Sequence, residues 1–190
     1  MKISMKDLDS GGPVLAGAPR GRRALARLLE LTTTEPSAPE PVFLDFTGIE
    51  VATASFLRET VLAFRDTVRL RRSNLYPVLA NTSDLVVDEL SVLAGARGDV
   101  LMLCSLSADG IASNPRLVGA LDPKQKITFD LVKQRGETDA AELMREHNGT
   151  EGVKHQTAWN NRLAALADLG LIVELSQGRA KRYRPLLMER

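Results

Sequence analysis

The sequence is poor in the residues that hold disulfides, metals and many active sites. It has one cysteine, Cys104, and two histidines, His147 and His155, among 190 residues. One cysteine excludes an internal disulfide and a cysteine-rich zinc site, and two histidines argue against a histidine-based metal cluster. No apolar run approaches the roughly 20 residues of a membrane span, and the first residues, MKISMKDLDSGG, lack the apolar segment of a signal peptide. We therefore expect a cytoplasmic protein without a metal, another cofactor or a membrane partner.

Signals for catalysis are equally scarce. The chain has no recognisable nucleophile elbow, no glycine-rich phosphate loop between a strand and a helix, and no conspicuous carboxylate pair. The segment GAPRGR (17–22) is basic and contains glycine, but it does not have P-loop spacing. Apolar residues make up 44% of the chain, which is enough for a packed core. We expect a folded protein that is not an enzyme.

Charge is nearly balanced, and the positive excess is local. Residues 1–120 hold 13 Lys and Arg against 14 Asp and Glu, whereas residues 121–190 hold 12 against 10. The segment RAKRYR (179–184) carries four cations and no acid. Any nucleic-acid footprint should therefore be small and lie in the last third of the chain.

The first 118 residues alternate between predicted strands and helices, which is typical of an α/β fold with a mixed or mainly parallel sheet. The helix predictions are about 22–31, 54–70 and a helix capped at TSD (82–84) and stopped by Gly95. The strand predictions are KISM (2–5), VFLDF (42–46), LYPVLA (75–80), VLMLCSL (100–106) and a short strand near 114–118. The proline in LYPVLA predicts an edge or strand-end position.

Residues 119–190 read as a smaller, mainly α-helical domain. Asp122, Pro123 and Gln125 form a helix-start pattern, and Gly136 ends that helix. Thr138 is the predicted cap of a second helix, which Asn148-Gly149 ends. A third helix is predicted at about 155–169, and Gly170-Leu171-Ile172 leads from it into a hairpin over VELSQGRAKRYRPL (173–186).

The third helix has two distinct sides on a wheel of about 100° per residue. Trp159, Leu163 and Leu166 fall together and are assigned to the core. The polar side and its flanks carry Lys154, Thr157, Asn160, Asn161 and Arg162. Asn can hydrogen-bond adenine edges, and Lys or Arg can pair with guanine or phosphate. A solvated helix face without a partner would show the same pattern.

The hairpin's return strand is basic through Arg179, Lys181, Arg182 and Arg184. These side chains can reach phosphates, or they can form a solvated strand edge whose charge discourages further strand pairing. Over about 121–187, TAWNNRLAALADLGLI and GRAKRYR resemble the winged helix-turn-helix transcription regulators. The resemblance implies contact with double-stranded DNA, although winged helices also serve as protein-binding modules.

A second motif, LDFTGIEVATASFLRE (44–59), joins a buried strand to a helix start that carries Thr53 and Ser55. Its Leu-Asp-Phe-Thr-Gly run resembles the STAS-like domains, which are relatives of the anti-anti-sigma factors. Thr53-Ala54-Ser55-Phe56 stands where that family has Asp-Ser-Ser-Gly, so only Ser55 matches a serine. Thr53 and Ser55 are thus a candidate phospho-acceptor or anion site, and plain capping of the helix by a hydroxyl is the alternative.

We interpret the chain as a bacterial-type regulator with a STAS-like domain at 1–118 and a winged helix at 119–190. Thr157, Asn160 and Asn161 would contact bases, while Lys154, Arg162 and the four hairpin cations would contact phosphates. A homodimer is expected, because one small module with few phosphate contacts binds weakly at physiological salt. The alternative is a non-enzymatic adaptor in a partner-switching pathway, in which the STAS-like domain docks on a kinase-type ATPase.

Overall fold

The protein is a mixed α/β protein. The computed structural model describes residues 1–9, 12–147, 155–177 and 180–188. Backbone contacts within the described residues separate the chain into two compact units, which comprise Met1–Ala120 and Leu121–Met188 and are called unit 1 and unit 2 below. Every described helix falls short of the length and apolar character that a bilayer crossing requires.

Unit 1 alternates strands and helices along the chain. Its elements, in order, are β1 (Lys2–Ser4), β2 (Val14–Leu15), α1 (Ala18–Leu31), β3 (Glu40–Asp45), β4 (Val51–Ala52), α2 (Ala54–Leu57), a π-helical turn (Arg58–Leu62), α3 (Ala63–Leu70), β5 (Leu75–Ala80), α4 (Asp84–Arg97), β6 (Val100–Leu106) and β7 (Ala112–Gly119).

The main sheet of unit 1 has the strand order β1-β3-β5-β6-β7 within the described residues. β1, β3, β5 and β6 run parallel, while β7 returns antiparallel to β6, so the sheet is mixed. The three inner strands are almost wholly buried, which explains why their sequences read as continuous apolar runs. The short strands β2 and β4 form a separate parallel pair.

α1 packs unusually close to the helical segment 54–70. A Cβ atom added at Gly21 would lie 2.9 Å from the carbonyl oxygen of Phe56. The buried Thr60 hydroxyl donates to the carbonyl of Gly21 at 2.9 Å. Thr60 lies in the π-helical turn, so this turn presents a hydroxyl to the neighbouring helix at the point of closest approach. The predicted helix over 54–70 is therefore present, with an irregularity that apolar spacing did not reveal.

The prediction of an edge or strand-end position for the proline is wrong, because β5 lies between β3 and β6 and Pro77 is the third of its six residues. Glu40 donates its N–H to the carbonyl of Asn74, and Phe46 donates to that of Ala80. The backbone N–H and C=O groups of the even-numbered β5 residues therefore point towards β3. Pro77 therefore faces β6, with which β5 pairs only from Leu79 onward. The missing N–H of Pro77 falls where no ladder bond is required.

Two predicted helix limits in unit 1 are also wrong. α1 begins at Ala18 rather than near residue 22, with a proline in its first turn, where the absent N–H costs nothing. α4 continues past Gly95 to Arg97 and ends at Gly98, whose φ of 63° is left-handed. Gly98, and not Gly95, has the backbone conformation that ends a helix.

The described residues of unit 2 form three helices and an antiparallel hairpin: α5 (Pro123–Arg135), α6 (Ala140–Glu146), α7 (Gln156–Asp168), β8 (Ile172–Gln177) and β9 (Ala180–Pro185). The predicted start of α5 is confirmed, because Asp122 and Gln125 form a capping box, and Gly136 follows its last residue. The predicted end of the second helix at Asn148-Gly149 lies outside the described residues.

Thr138 does not cap α6, contrary to the sequence prediction. Asp139 is the cap, and it forms a capping box with Glu142. Thr138 instead pairs with Tyr183 of β9 as an isolated antiparallel bridge, with backbone N···O distances of 2.9 and 2.8 Å. The residue before the cap is therefore a one-residue extension of the hairpin sheet.

Candidate nucleic-acid interface

α7 divides into a buried and an exposed side, as its sequence predicts. Trp159, Leu163 and Leu166 are fully buried, so the assignment of Trp159 to the core is confirmed. Thr157, Asn160 and Asn161 are all exposed. Three short polar side chains therefore lie exposed on the first turns of α7. Such a surface can present amide donors and acceptors to a base edge.

Arg162 lies at the border between these two sides. Its guanidinium carbon is 5.0 Å from the ring centroid of Trp159, within the range of a cation–π contact. The side chain is half-buried, and its Nη1 has no hydrogen-bond partner among the described residues. Arg162 is thus held partly against the core and presents only part of its guanidinium to solvent.

A cavity of about 500 Å³ brings several of the predicted contact residues together. It lies between the start of α6, the exposed side of α7 and strand β9, and Asn160, Asn161 and Lys181 all line it. Gln156 and Asp139 line it as well, although the sequence analysis did not select them. Their proximity depends on the return of β9 beside Thr138, which sequence spacing alone does not show.

The described hairpin cations differ in how strongly they are already paired. Lys181 forms an ion pair with Glu174 at 2.8 Å, and its side chain is 54% exposed. Arg184 is exposed and has neither an ion pair nor a hydrogen bond with any described residue. Lys154 and Arg179, two further predicted phosphate contacts, lie outside the described residues. Arg184 is therefore the described hairpin cation most available to an incoming anion.

Arg182 forms ion pairs with acidic side chains at the start of α6. It lies 2.5 Å from Glu137, 3.3 Å from Asp139 and 3.2 Å from Glu142. The hydrogen bonds that it donates to Glu137 and then to Glu142 raise the pKa of Arg182 above its ordinary value. Its charge joins the hairpin to α6, so a phosphate could pair with Arg182 only by displacing a carboxylate. No local pattern predicts this pairing, because the acids precede Arg182 by 40 to 45 positions.

In unit 1, Thr53 performs the capping role that was the alternative to an anion site. Its Oγ1 accepts from the backbone N–H of Phe56 at 3.4 Å and from that of Gly17 at 3.1 Å. The hydroxyl of Ser55 lies 3.2 Å from that of Thr53, and both residues are half-buried. Thr53 therefore already satisfies two backbone donors, and Ser55 is the less committed of the two hydroxyls.

A polar cluster that the sequence analysis missed lies at the carboxyl ends of the parallel strands. Buried Asp45 accepts from Thr47 at 2.8 Å, from Asn81 at 2.9 Å and from Lys2 at 2.9 Å. Burial acts to raise the pKa of Asp45, but these hydrogen bonds outweigh it, and the pKa is lowered. Asn81 also bonds to both backbone groups of Leu106. Asn81 adopts a left-handed φ of 55°, a backbone conformation that the sequence pattern does not predict.

No described group of three or more His, Cys, Asp or Glu side chains is arranged to hold a metal ion. The chain matches no protein-family model, no curated protein and no solved structure.

Proposed function

We propose that the chain is a cytoplasmic regulator whose unit 2 is a winged helix that binds double-stranded DNA. The observation that carries the proposal is the exposed polar side of α7, with Asn160 and Asn161 beside Lys181 in one cavity. The order of three helices and a hairpin, with Thr138 extending the sheet, supports the winged-helix assignment. In this reading α7 enters the major groove, and Arg184 contacts a flanking phosphate.

Unit 1 would act as a STAS-like module that receives a signal or partner and forms a homodimer. Its alternation of helices with a mixed sheet, and the Asp45-Phe46-Thr47-Gly48 turn at the end of β3, support this assignment. Dimerisation would double the few phosphate contacts that one unit 2 can make. Sedimentation of the full chain at micromolar concentration would test the proposed homodimer, and a monomer bound to DNA would contradict it.

The direct test is fluorescence anisotropy of the full chain on labelled genomic DNA fragments at several salt concentrations. We expect saturable binding that weakens with salt. Asn160→Ala and Asn161→Ala should each lose about 1–3 kcal/mol on the preferred fragments, because a bidentate contact to a base is removed. Gln134→Ala, on the exposed side of α5, is the matched control and should bind as the parent does. Equal affinities for all four proteins would contradict the assignment of α7.

A second candidate is a protein-interaction adaptor, and the pairing of the hairpin cations favours it. Arg182 is held by three carboxylates and Lys181 by Glu174, so much of the positive charge is neutralised within unit 2. In this reading unit 1 docks on a kinase-type ATPase, with Ser55 beside the contact. Capture of a stoichiometric protein partner, together with no DNA binding at low salt, would favour the adaptor. Capture of no partner by the full chain would count against it.

A further inference from the structure

α1 carries an arginine face in unit 1, apart from the residues proposed to contact DNA in unit 2. Arg20, Arg23 and Arg27 recur at helical spacing and line one cavity of about 520 Å³ together with Leu8 and Asp9. Unit 1 as a whole has slightly more acidic than basic residues, so this concentration of positive charge is local. The volume falls within the usual range of small-ligand sites.

The three guanidinium groups are neutralised to different degrees. Arg20 donates from Nε to the carboxylate of Asp9 at 2.6 Å, which cancels its charge. Arg27 donates to the backbone carbonyls of Leu8 at 3.2 Å and Asp7 at 3.5 Å, which fix the side chain but leave its charge. Arg23 is exposed and, within the described part of the chain, has no ion pair or hydrogen bond. The cavity therefore keeps a net positive charge with one arginine already oriented.

The position of these arginines is unfavourable for the helix itself. α1 has no acidic residue in its first turn and no basic residue in its last turn. Its arginines crowd towards the N-terminal part, where the helix dipole favours negative charge. An anion bound between Arg23 and Arg27 would offset both this dipole and the mutual repulsion of the arginines. The forked guanidinium groups match the oxygens of a phosphate group.

We propose that this arginine cavity of unit 1 binds a small phosphate compound, with Arg23 and Arg27 as its ligands and Arg20 held in place by Asp9. The site goes beyond the proposed DNA contact of unit 2 and does not depend on it. The shared chemistry is a phosphate dianion, supplied either as the free ion or as a phosphate monoester of nucleotide size.

The experiment is calorimetric titration of the full chain with inorganic phosphate and, separately, with adenosine monophosphate at constant ionic strength. Arg23→Ala is the test variant, and Arg22→Ala is its matched control. Arg22→Ala removes the same charge from the adjacent position. Arg22 lies 3.5 Å from Glu59 and does not line the cavity. We expect Arg23→Ala to weaken binding at least fivefold and Arg22→Ala less than twofold.

The two titrations distinguish the sources of phosphate. Equal binding of both probes assigns the site to the free ion, and tighter binding of the nucleotide assigns it to a monoester. No binding of either probe, or equal weakening by Arg22→Ala and Arg23→Ala, would overturn the proposal. A loss of duplex DNA binding in Arg23→Ala, without phosphate binding in the parent, would instead make this face part of a nucleic-acid contact and would also overturn it.

Discussion

Arg65 and Asp99 form a buried ion pair that joins α3 to the residue before β6. Arg65 Nη1 lies 2.6 Å from Asp99 Oδ1, and Nη2 donates to the second carboxylate oxygen. Both side chains are less than a tenth exposed. Asp66 and Arg97 extend the pair towards the surface. Two parallel hydrogen bonds between a guanidinium and a carboxylate fix the orientation of both groups.

Removing one charge of this pair should be costly. Asp99→Asn removes the buried negative charge that faces Arg65, although Asp66 still accepts from the guanidinium, and we expect a loss of about 1.5–3 kcal/mol in the free energy of unfolding. Asp88→Asn is the control, because Asp88 is exposed on α4 and should change stability by less than about 0.5 kcal/mol. Urea denaturation followed by circular dichroism measures both. A loss below about 1 kcal/mol in Asp99→Asn would show that the pair contributes little.

The same carboxylate should make stability depend on pH in the acid range. Burial alone would raise the pKa of Asp99, but its hydrogen bonds with Arg65 and the charge of Arg65 outweigh burial, so the pKa is lowered. A carboxylate with a lower pKa in the folded state stabilises the fold above its unfolded pKa of about 4 and ceases to do so as the pH falls through the folded pKa. We expect unfolding free energies to drop below about pH 4, and to drop less steeply in Asp99→Asn. Superimposable pH profiles would contradict this.

Gly119 and Gly95 should respond in opposite directions to alanine. A Cβ atom at Gly119 would collide with the carbonyl oxygen of Asp99, and the φ of 94° at Gly119 strains any other residue. We expect Gly119→Ala to lose about 3 kcal/mol or more. Gly95 lies inside α4, with no neighbouring atom within 4 Å of an added Cβ, so Gly95→Ala should gain about 0.5–1 kcal/mol. Chemical denaturation checks both, and a neutral Gly119→Ala would contradict the close approach.

Cys104 should be unreactive while the protein is folded. Burial, followed by the negative charge of Asp45, raises the pKa of its thiol to about 11. At pH 8 only about one thiol in a thousand would be ionised, and the thiolate is the reactive form. We expect a thiol-specific disulfide reagent to react slowly with the native chain and to release one equivalent rapidly after addition of denaturant. Rapid reaction of the native chain would place Cys104 in a more open environment.

Arg184 and Arg182 should differ in their effect on DNA binding, if unit 2 binds DNA as proposed. Arg184→Ala removes an exposed cation without a described partner, and it should reduce both affinity and the salt slope by about one phosphate contact. Arg182→Ala removes a charge that pairs with Glu137, Asp139 and Glu142 rather than with a phosphate, so the salt slope should stay unchanged while the freed carboxylates weaken affinity by repulsion. Salt-dependent anisotropy measures both. An equal fall of the salt slope in the two variants would mean that Arg182 exchanges its carboxylates for a phosphate.

Local sequence patterns predicted the helices and strands of this chain better than they predicted which elements pair or pack together. The capping box at Asp122 and the buried side of α7 depend on residues within a few positions, and both were predictable. The central place of β5 depends on its pairing with β3 on one side and β6 on the other, which the strand-forming tendency of its own residues does not reveal. The engagement of Arg182 likewise arises only after the chain has returned to α6. Predictions from local sequence were therefore correct where contacts between residues far apart in the chain do not determine the structure.

The bridge between Thr138 and Tyr183 has a consequence for how the protein is made. Thr138 leaves the ribosome before α6, whereas Tyr183 belongs to the last described strand. At roughly 5–20 residues per second, several seconds separate the synthesis of the two. During that interval the backbone groups of Thr138, which are destined for β9, have no cognate partner and are open to pairing with other chains. Unit 1 passes through a comparable interval, because Lys2 of β1 must wait for Phe43 of β3 and Glu40 of β3 for Leu75 of β5.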